Sequence, residues 1–423
     1  MSDTHPAGQL AELLADQLAH PPTIPRALTT RDWWRQSLAH GAPGITLLHI
    51  ERAAAGSAPW QRAHEWLTDI THRAVTAGAD SHLFYGAPAL AHVLACAATA
   101  RPGSYQRALQ TLDHQIATDT RRRVHDAHTR IDSGRFPALA EFDVIRGLTG
   151  IGAYLLRRDP RSATVRAVLE YLVRLTEPLP GVEQPSPGWW TATGPSGRKS
   201  KRFPAGHGNC GVAHGIAGPL ALLALAARRG VTVYGHREGI GRICAWLDRW
   251  RTDTASGPVW PYWVTHSQLR AGQPVGWQRQ RPSWCYGTAG LARAQQLAAL
   301  ATGDASRQHL AERALIQALS NPVQLAAATD TSVCHGYAGY AHIAVTAAAD
   351  ASPDAAAQLY ALVPDLLDAV QPDDTHPRDV ADGLAGADRP GFLEGAAGIA
   401  LAVSTASTAT LPRTGWDTCL LIT

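Results

Sequence analysis

Lysine is almost absent from this chain of 423 residues. The only two, Lys199 and Lys201, sit together in Arg198-Lys199-Ser200-Lys201-Arg202. An excess of charge of one sign is also lacking. Thirty-eight basic against 35 acidic side chains leave a formal net charge of +3, too balanced a field to gather a polyanion, so no nucleic-acid partner is expected. Long apolar runs are missing too. The longest, Ala217 to Ala227 at about 11 residues, falls well short of the roughly 20 that a membrane-crossing helix needs. Met1-Ser2-Asp3-Thr4-His5-Pro6 has neither the basic start nor the apolar stretch of a secretory signal. A cytoplasmic protein without a transmembrane segment is predicted. Six scattered cysteines show no framework spacing; in a reducing compartment they are thiols, metal ligands or nucleophiles, not disulfides. Alternating strand patterns are scarce, and an apolar fraction of 45% excludes a mainly disordered chain.

What is present is helical periodicity. Leu10, Leu13, Leu14 and Leu18 share a face, as do Leu359, Leu362, Val363, Leu366, Leu367 and Val370, with Pro364 expected to kink or split the latter segment. Two stretches break this texture: residues 177–211, rich in Pro, Gly, Ser and Trp, and residues 250–284, rich in Trp and Gly. Both are too long for idle loops. The first is expected to be an inserted extension, irregular or with a little β structure, inside one domain spanning residues 1–423.

A repeat organises the rest. Gly-x-x-Gly followed by an Ala- and Leu-rich stretch recurs at Gly41, Gly147, Gly215, Gly287, Gly336 and Gly395, with a degenerate copy at Gly86 that ends in Ala89. The copies stand 45 to 72 residues apart, room for two helices each. Seven helix pairs that each bury one face stack as a solenoid or close into a ring, and a final copy near the C-terminus favours closure. The predicted class is all-α, an α/α toroid of seven inner and seven outer helices, with residues before the glycines converging on one mouth.

Those preceding residues carry chemistry. His214 precedes Gly215, Cys285 lies two residues before Gly287, and Cys334-His335 precedes Gly336. Cys285, Cys334 and His335 make a Cys₂His set, which suits zinc and leaves a fourth position open. Two thiolates make a weakly acidic zinc, better at activating a soft thiol than at forming hydroxide. His214 is the candidate general acid or base, and Asp143 its carboxylate partner. Cys96, Cys244 and Cys419 lack such a context. Cys210 and His207 are near His214 in sequence and rank as weaker candidates.

Gly147-Leu148-Thr149-Gly150-Ile151-Gly152, Ala213-His214-Gly215-Ile216-Ala217-Gly218, Trp284-Cys285-Tyr286-Gly287, Cys334-His335-Gly336 and Phe392-Leu393-Glu394-Gly395 together resemble the lanthionine synthetase C-like family, from about residue 38 to about 403. The resemblance implies the toroid, one zinc per chain on Cys285, Cys334 and His335, and functional residues at Asp143, His214, Arg281 and Tyr286. It implies Michael addition of a cysteine thiolate to dehydroalanine or dehydrobutyrine in a dehydrated precursor peptide with a leader, giving thioether rings for lanthipeptide antibiotic biosynthesis. In that reading His214 protonates the enolate or takes up the thiol proton. Arg281 stabilises enolate charge or orients His214, and Asp143 fixes its tautomer. A separate dehydratase is the expected partner, together with a transporter complex, and the Arg198–Arg202 patch is a candidate for an acidic leader. Two rivals stand beside it. One is a non-cyclising relative that binds glutathione or modified peptides. The other is a glycosidase using Asp143 and Glu394 as paired carboxylates and Trp284 as a sugar platform.

Overall fold

The computed structural model describes residues 6–21, 32–181, 186–255, 257–273, 280–372, 374–386 and 389–423. Residues 182–185 of the expected extension, and 256 and 274–279 of the second Trp-rich stretch, lie outside the described residues.

Every copy of the repeat starts a helix just after its first glycine. These seven helices are Ala42–Ala54, Ala87–Ala100, Leu148–Arg158, Ala217–Arg228, Thr288–Thr302, Tyr337–Ala348 and Ala396–Thr408. They are mostly apolar and buried on all sides over most of their length; in Ala217–Arg228 everything from Ala217 to Ala226 is buried. The helices that follow them are amphipathic. Trp60–Thr71 buries Ala63, Trp66, Leu67 and Ile70 along one stripe, and His236–Trp250 buries Ile240, Ile243, Trp246, Leu247 and Trp250.

The contacts divide the chain into two compact units, residues 1–116 with 328–417 and residues 117–327 with 418–423. In the first, Tyr337–Ala348, Ala396–Thr408, Ala42–Ala54 and Ala87–Ala100 pack in that order, backed by Ala7–Gln17, Trp60–Thr71 and Pro353–Asp368. In the second, Leu148–Arg158, Ala217–Arg228 and Thr288–Thr302 pack in that order, backed by Ala163–Leu175, His236–Trp250 and Ala305–Ser320. Pro364 does not split its helix, which runs unbroken over Pro353–Asp368. Pro364 lies on the solvent face, where water can serve the carbonyl that loses its N–H partner.

Within each unit the loops in front of the glycines are tied to one another by backbone hydrogen bonds. Val144 N–H donates to the Ala213 carbonyl at 3.0 Å, and Val212 N–H to the Cys285 carbonyl at 3.0 Å. In the other unit Cys334 N–H donates to the Leu393 carbonyl at 2.9 Å. Leu393 and Phe392 donate to the Ala39 carbonyl, both at 2.9 Å, and Leu38 donates to the Phe84 carbonyl at 3.0 Å. The second glycine of the motif makes room for this. A Cβ at Gly290 would stand 2.1 Å from the Trp284 carbonyl oxygen, and one at Gly398 1.7 Å from that of Phe392.

The two Trp-rich stretches meet. Strand β1 (His207–Asn209) pairs antiparallel with β4 (Trp263–Thr265), with His207 opposite Thr265 and Asn209 opposite Trp263. Strands β2 (Thr252–Thr254) and β3 (Gly257–Val259) form a second antiparallel ribbon. Thr191 bridges to His207. At three residues each, none of these strands is long enough for alternation to show.

Two stability measurements follow from these contacts. Gly290→Ala is expected to cost about 1–3 kcal/mol through the clash with Trp284. Gly241→Ala, at an exposed position of His236–Trp250 with open space at its Cβ, is expected to gain about 0.5–1 kcal/mol. Chemical denaturation of both variants checks the pair. His49 is fully buried on Ala42–Ala54 and donates from Nε2 to the Leu18 carbonyl at 2.7 Å; burial pushes its pKa down to about 4. Since the unfolded chain takes up this proton near pH 6.5 and the folded one near 4, the stability held above pH 6.5 falls as the pH drops towards 4, by roughly 3 kcal/mol. His49→Gln is expected to flatten that part of a stability-against-pH curve.

Candidate active site

Asp143 follows the one-turn helix Leu139–Phe142. That turn is anchored by Glu141, which accepts from Arg130 Nε and Nη2 at 2.9 and 2.7 Å and from the buried Tyr171 hydroxyl at 2.7 Å. Arg123 holds the other side of the loop by donating to the Arg146 carbonyl at 2.7 Å. The Asp143 carboxylate is itself almost fully buried. Its Oδ1 accepts from the backbone N–H groups of Arg146 and Gly147 at 2.6 and 2.8 Å, and its Oδ2 meets His214 Nδ1 at 2.7 Å. Two N–H donors on one oxygen aim the carboxylate, and its other oxygen fixes the His214 tautomer with the proton on Nδ1. His214 keeps about a third of its side chain exposed, so Nε2 is the working end of the ring.

Cys285 reaches this pair through the loop ties, because its carbonyl accepts from Val212 at 3.0 Å and Ala213 at 3.4 Å, the residues just before His214. Tyr286 lies in an aromatic setting with ring centroids 6.2 Å from His214, 5.7 Å from Tyr262 and 6.1 Å from Trp263. Its hydroxyl accepts from Asn209 Nδ2 at 3.1 Å. The Asn209 side chain is fixed in turn, since its Oδ1 accepts from Gly211 N–H at 3.1 Å. Arg281 donates its backbone N–H to the Tyr262 hydroxyl at 3.2 Å. Among the described residues its guanidinium forms no hydrogen bond or ion pair, and Asp143 is the group that orients His214.

Cys285 belongs to one compact unit and Cys334 and His335 to the other; together they offer two thiols and an imidazole. The donor set fits zinc: thiolate and imidazole are its preferred ligands, and such donors stand about 3.5–3.8 Å apart around a tetrahedral ion. A supporting carboxylate is in place as well. His335 Nε2 lies 2.9 Å from Asp330 Oδ2, which leaves Nδ1 as the ring nitrogen for a metal. Burial opposes the charge on Asp330, but hydrogen bonds from His335 and Ser332 more than offset it and hold the carboxyl well below the usual carboxylate range.

Cys210 and His207 do not join this group. Burial pushes the Cys210 thiol up to about 12 and the Cys244 thiol up to about 11, so both remain neutral. His207 donates from Nδ1 to the Thr193 carbonyl at 2.8 Å, and burial lowers its pKa; it is a neutral strut of the β1 region. The glycosidase pairing fails on the same detail. Asp143 is committed to His214 and two N–H groups, and the Trp284 ring is buried, donating to the Leu420 carbonyl at 2.9 Å. Sequence reasoning missed Asn209, Tyr262 and Trp263, which only the pairing of β1 with β4 brings beside Tyr286.

The glycine-led helices and this constellation together define a class. The family of lanthionine synthetase C-like proteins matches residues 32–421, and the chain belongs to it. Nisin biosynthesis protein NisC of Lactococcus lactis subsp. lactis is 25% identical over 209 residues, 48% of this chain and 48% of that protein. The chain thus matches about half the length of this curated relative. Among solved structures, nisin cyclase superposes with a TM-score of 0.77 at 20% identity, over 98% of this chain and 96% of that one. The fold is therefore the all-α, α/α toroid expected from the repeat. Among the described residues no helix is long and apolar enough to cross a membrane.

Thiol reactivity checks this description of the cysteines. In the folded protein at pH 8, Cys210 is expected to resist alkylation, since its thiolate fraction is on the order of 10⁻⁴. Peptide mapping by mass spectrometry should find it modified only after denaturation.

Proposed function

We propose that this chain is a zinc-dependent lanthipeptide cyclase, which closes thioether rings by adding a cysteine thiol of a dehydrated precursor peptide to a dehydroalanine or dehydrobutyrine. The observation that carries the reading is the Asp143–His214 pair, joined by backbone hydrogen bonds to the Cys285 loop. The family membership and the names of the relatives, nisin biosynthesis protein and nisin cyclase, support it.

Cys285, Cys334 and His335 would hold one zinc ion, which when bound lowers the pKa of a substrate thiol and keeps its sulfur nucleophilic. His214 moves the proton. With Nδ1–H given to Asp143, Nε2 carries the lone pair that accepts the thiol proton. The sulfur then bonds to the β-carbon, the double-bond electron pair moves onto Cα and its carbonyl, and His214 returns the proton to Cα. The proton count closes, and Asp143 stabilises the transient imidazolium. Arg281 is the cation that offsets enolate charge, and Tyr286, held by Asn209, positions the reacting peptide. The precursor's leader, a dehydratase and a transporter complex complete the expected partners. The 177–211 extension is the part of the single 1–423 domain proposed to meet the leader.

Metal analysis and a cyclisation assay test the proposal. Purified protein is expected to carry about one zinc per chain, lost in Cys285→Ala and kept in Cys210→Ala. His214→Asn should retain the metal while cyclisation of a peptide bearing dehydroalanine and cysteine slows by roughly 10²–10⁴-fold, followed by loss of alkylatable thiol. Ring formation at the uncatalysed rate by zinc-loaded wild type would sink the cyclase reading.

A further inference from the structure

A cavity of about 230 Å³ opens between the loop that starts the first repeat and the loop that starts the last, lined by Trp33, Trp34, His40, Arg389 and Glu394. That is smaller than the pockets of about 300–1,000 Å³ that enclose whole small-molecule ligands, and it suits a single long side chain. Its position is informative. Glu394 follows Leu393, whose carbonyl accepts the Cys334 N–H at 2.9 Å, so the cavity lies one peptide unit from the loop that carries two of the candidate metal ligands.

The chemistry of the lining selects one charge. Glu394 precedes the helix Ala396–Thr408 but does not cap it; the N–H groups of Ala396, Ala397 and Gly398 are already taken by the carbonyls of Arg389, Pro390 and Gly391. Among the described residues the Glu394 carboxylate, half-buried, has no hydrogen bond or ion pair, so the fold gives it no structural task. Beside it stands Trp33, 45% exposed, with its indole held edge-on to the His40 ring at 5.7 Å. An exposed indole and an unpaired carboxylate together attract a cation. Arg389 also lines the cavity but is exposed, so water and salt screen its charge more than that of half-buried Glu394.

We infer that this cavity is a specificity subsite for a basic side chain, lysine or arginine, of the peptide being processed. The cation pairs with Glu394 and lies against Trp33 while the peptide's cysteine reaches the Cys334–His335 loop. At up to about 3.5 Å per extended residue, that side chain belongs to a residue within roughly three positions of the cysteine. The inference rests on the peptide-cyclase reading above, and the test separates the two.

The probes are short peptides with one dehydroalanine and one cysteine, carrying lysine or norleucine at each of the three positions on either side of the cysteine. Unreactive analogues with alanine and serine at the two reacting positions accompany them. Wild-type zinc-loaded protein is expected to bind the best lysine analogue roughly ten- to a hundredfold tighter than its norleucine twin by calorimetry, the weight of one charged hydrogen bond. Cyclisation should show the same ratio in KM, with kcat unchanged. Glu394→Gln is expected to abolish the preference without altering zinc content or norleucine-peptide binding, and Trp33→Ala to reduce it. Cyclisation of both peptides with no lysine preference, or a preference that survives in Glu394→Gln, overturns the subsite and leaves the cyclase reading intact. A lysine preference in binding without any cyclisation upholds the subsite and overturns the cyclase reading.

Discussion

The rest of the structure depends on one close approach: at five of the seven buried helices, the second motif glycine lies against the carbonyl of a residue six positions earlier, with no Cβ between them. Gly290 over Trp284 and Gly398 over Phe392 are the tightest instances, one in each unit. The approach folds each preceding loop back over its helix, and the folded loops then bond to their neighbours through N–H and carbonyl groups that would otherwise be buried without partners. The same constraint thus packs the helices and arranges the residues in front of the glycines. Where the second glycine is replaced, at Ala89, the copy contributes no candidate ligand, acid or base.

The candidate site inherits its order from that scaffold. Asp143, His214 and Cys285 come from three successive loops, and the bonds Val144 to Ala213 and Val212 to Cys285 set their spacing before any side chain meets. Side chains then fix direction. Asp143 is aimed by two N–H groups, His214 by Asp143, and Tyr286 by Asn209. Each is a short polar link within a mostly apolar core, where an unpaired group is costly and a paired one is rigid. The cysteines divide along the same line: Cys210 and Cys244 are walled in and remain neutral thiols, whereas Cys334 is followed by His335 with its carboxylate support, Asp330.

Around this centre the chain adds aromatic and charged surfaces. The β1–β4 pairing brings the two Trp-rich stretches together and lines Tyr286 with Tyr262 and Trp263. Arg202 lies over Phe203 and Trp263 at 5.7 and 5.5 Å, so part of the basic patch is anchored by cation–π contact. The cavity at Glu394 is built differently, from the loops of the first and last repeats. There a carboxylate with no hydrogen bond or ion pair among the described residues lines the same cavity as an exposed indole.

The sequence alone determined the helical class and the seven-fold repeat, and it nominated the ligand trio, because each rests on a local rule. Glycine at a fixed spacing is a steric demand of one short segment, and Cys285, Cys334 and His335 stand at equivalent places in the repeat. It was also enough to pair Asp143 with His214, since both precede motif glycines. Tertiary structure decided what local rules leave open. Pro364 does not split its helix because its carbonyl partner faces water. Strands of three residues, such as His207–Asn209, carry no periodicity to read, so the partnership of Asn209 with Tyr286 needed residues 77 positions apart to be placed together. The fate of each cysteine was likewise set by burial and neighbours, which a thiol's position in the chain does not encode.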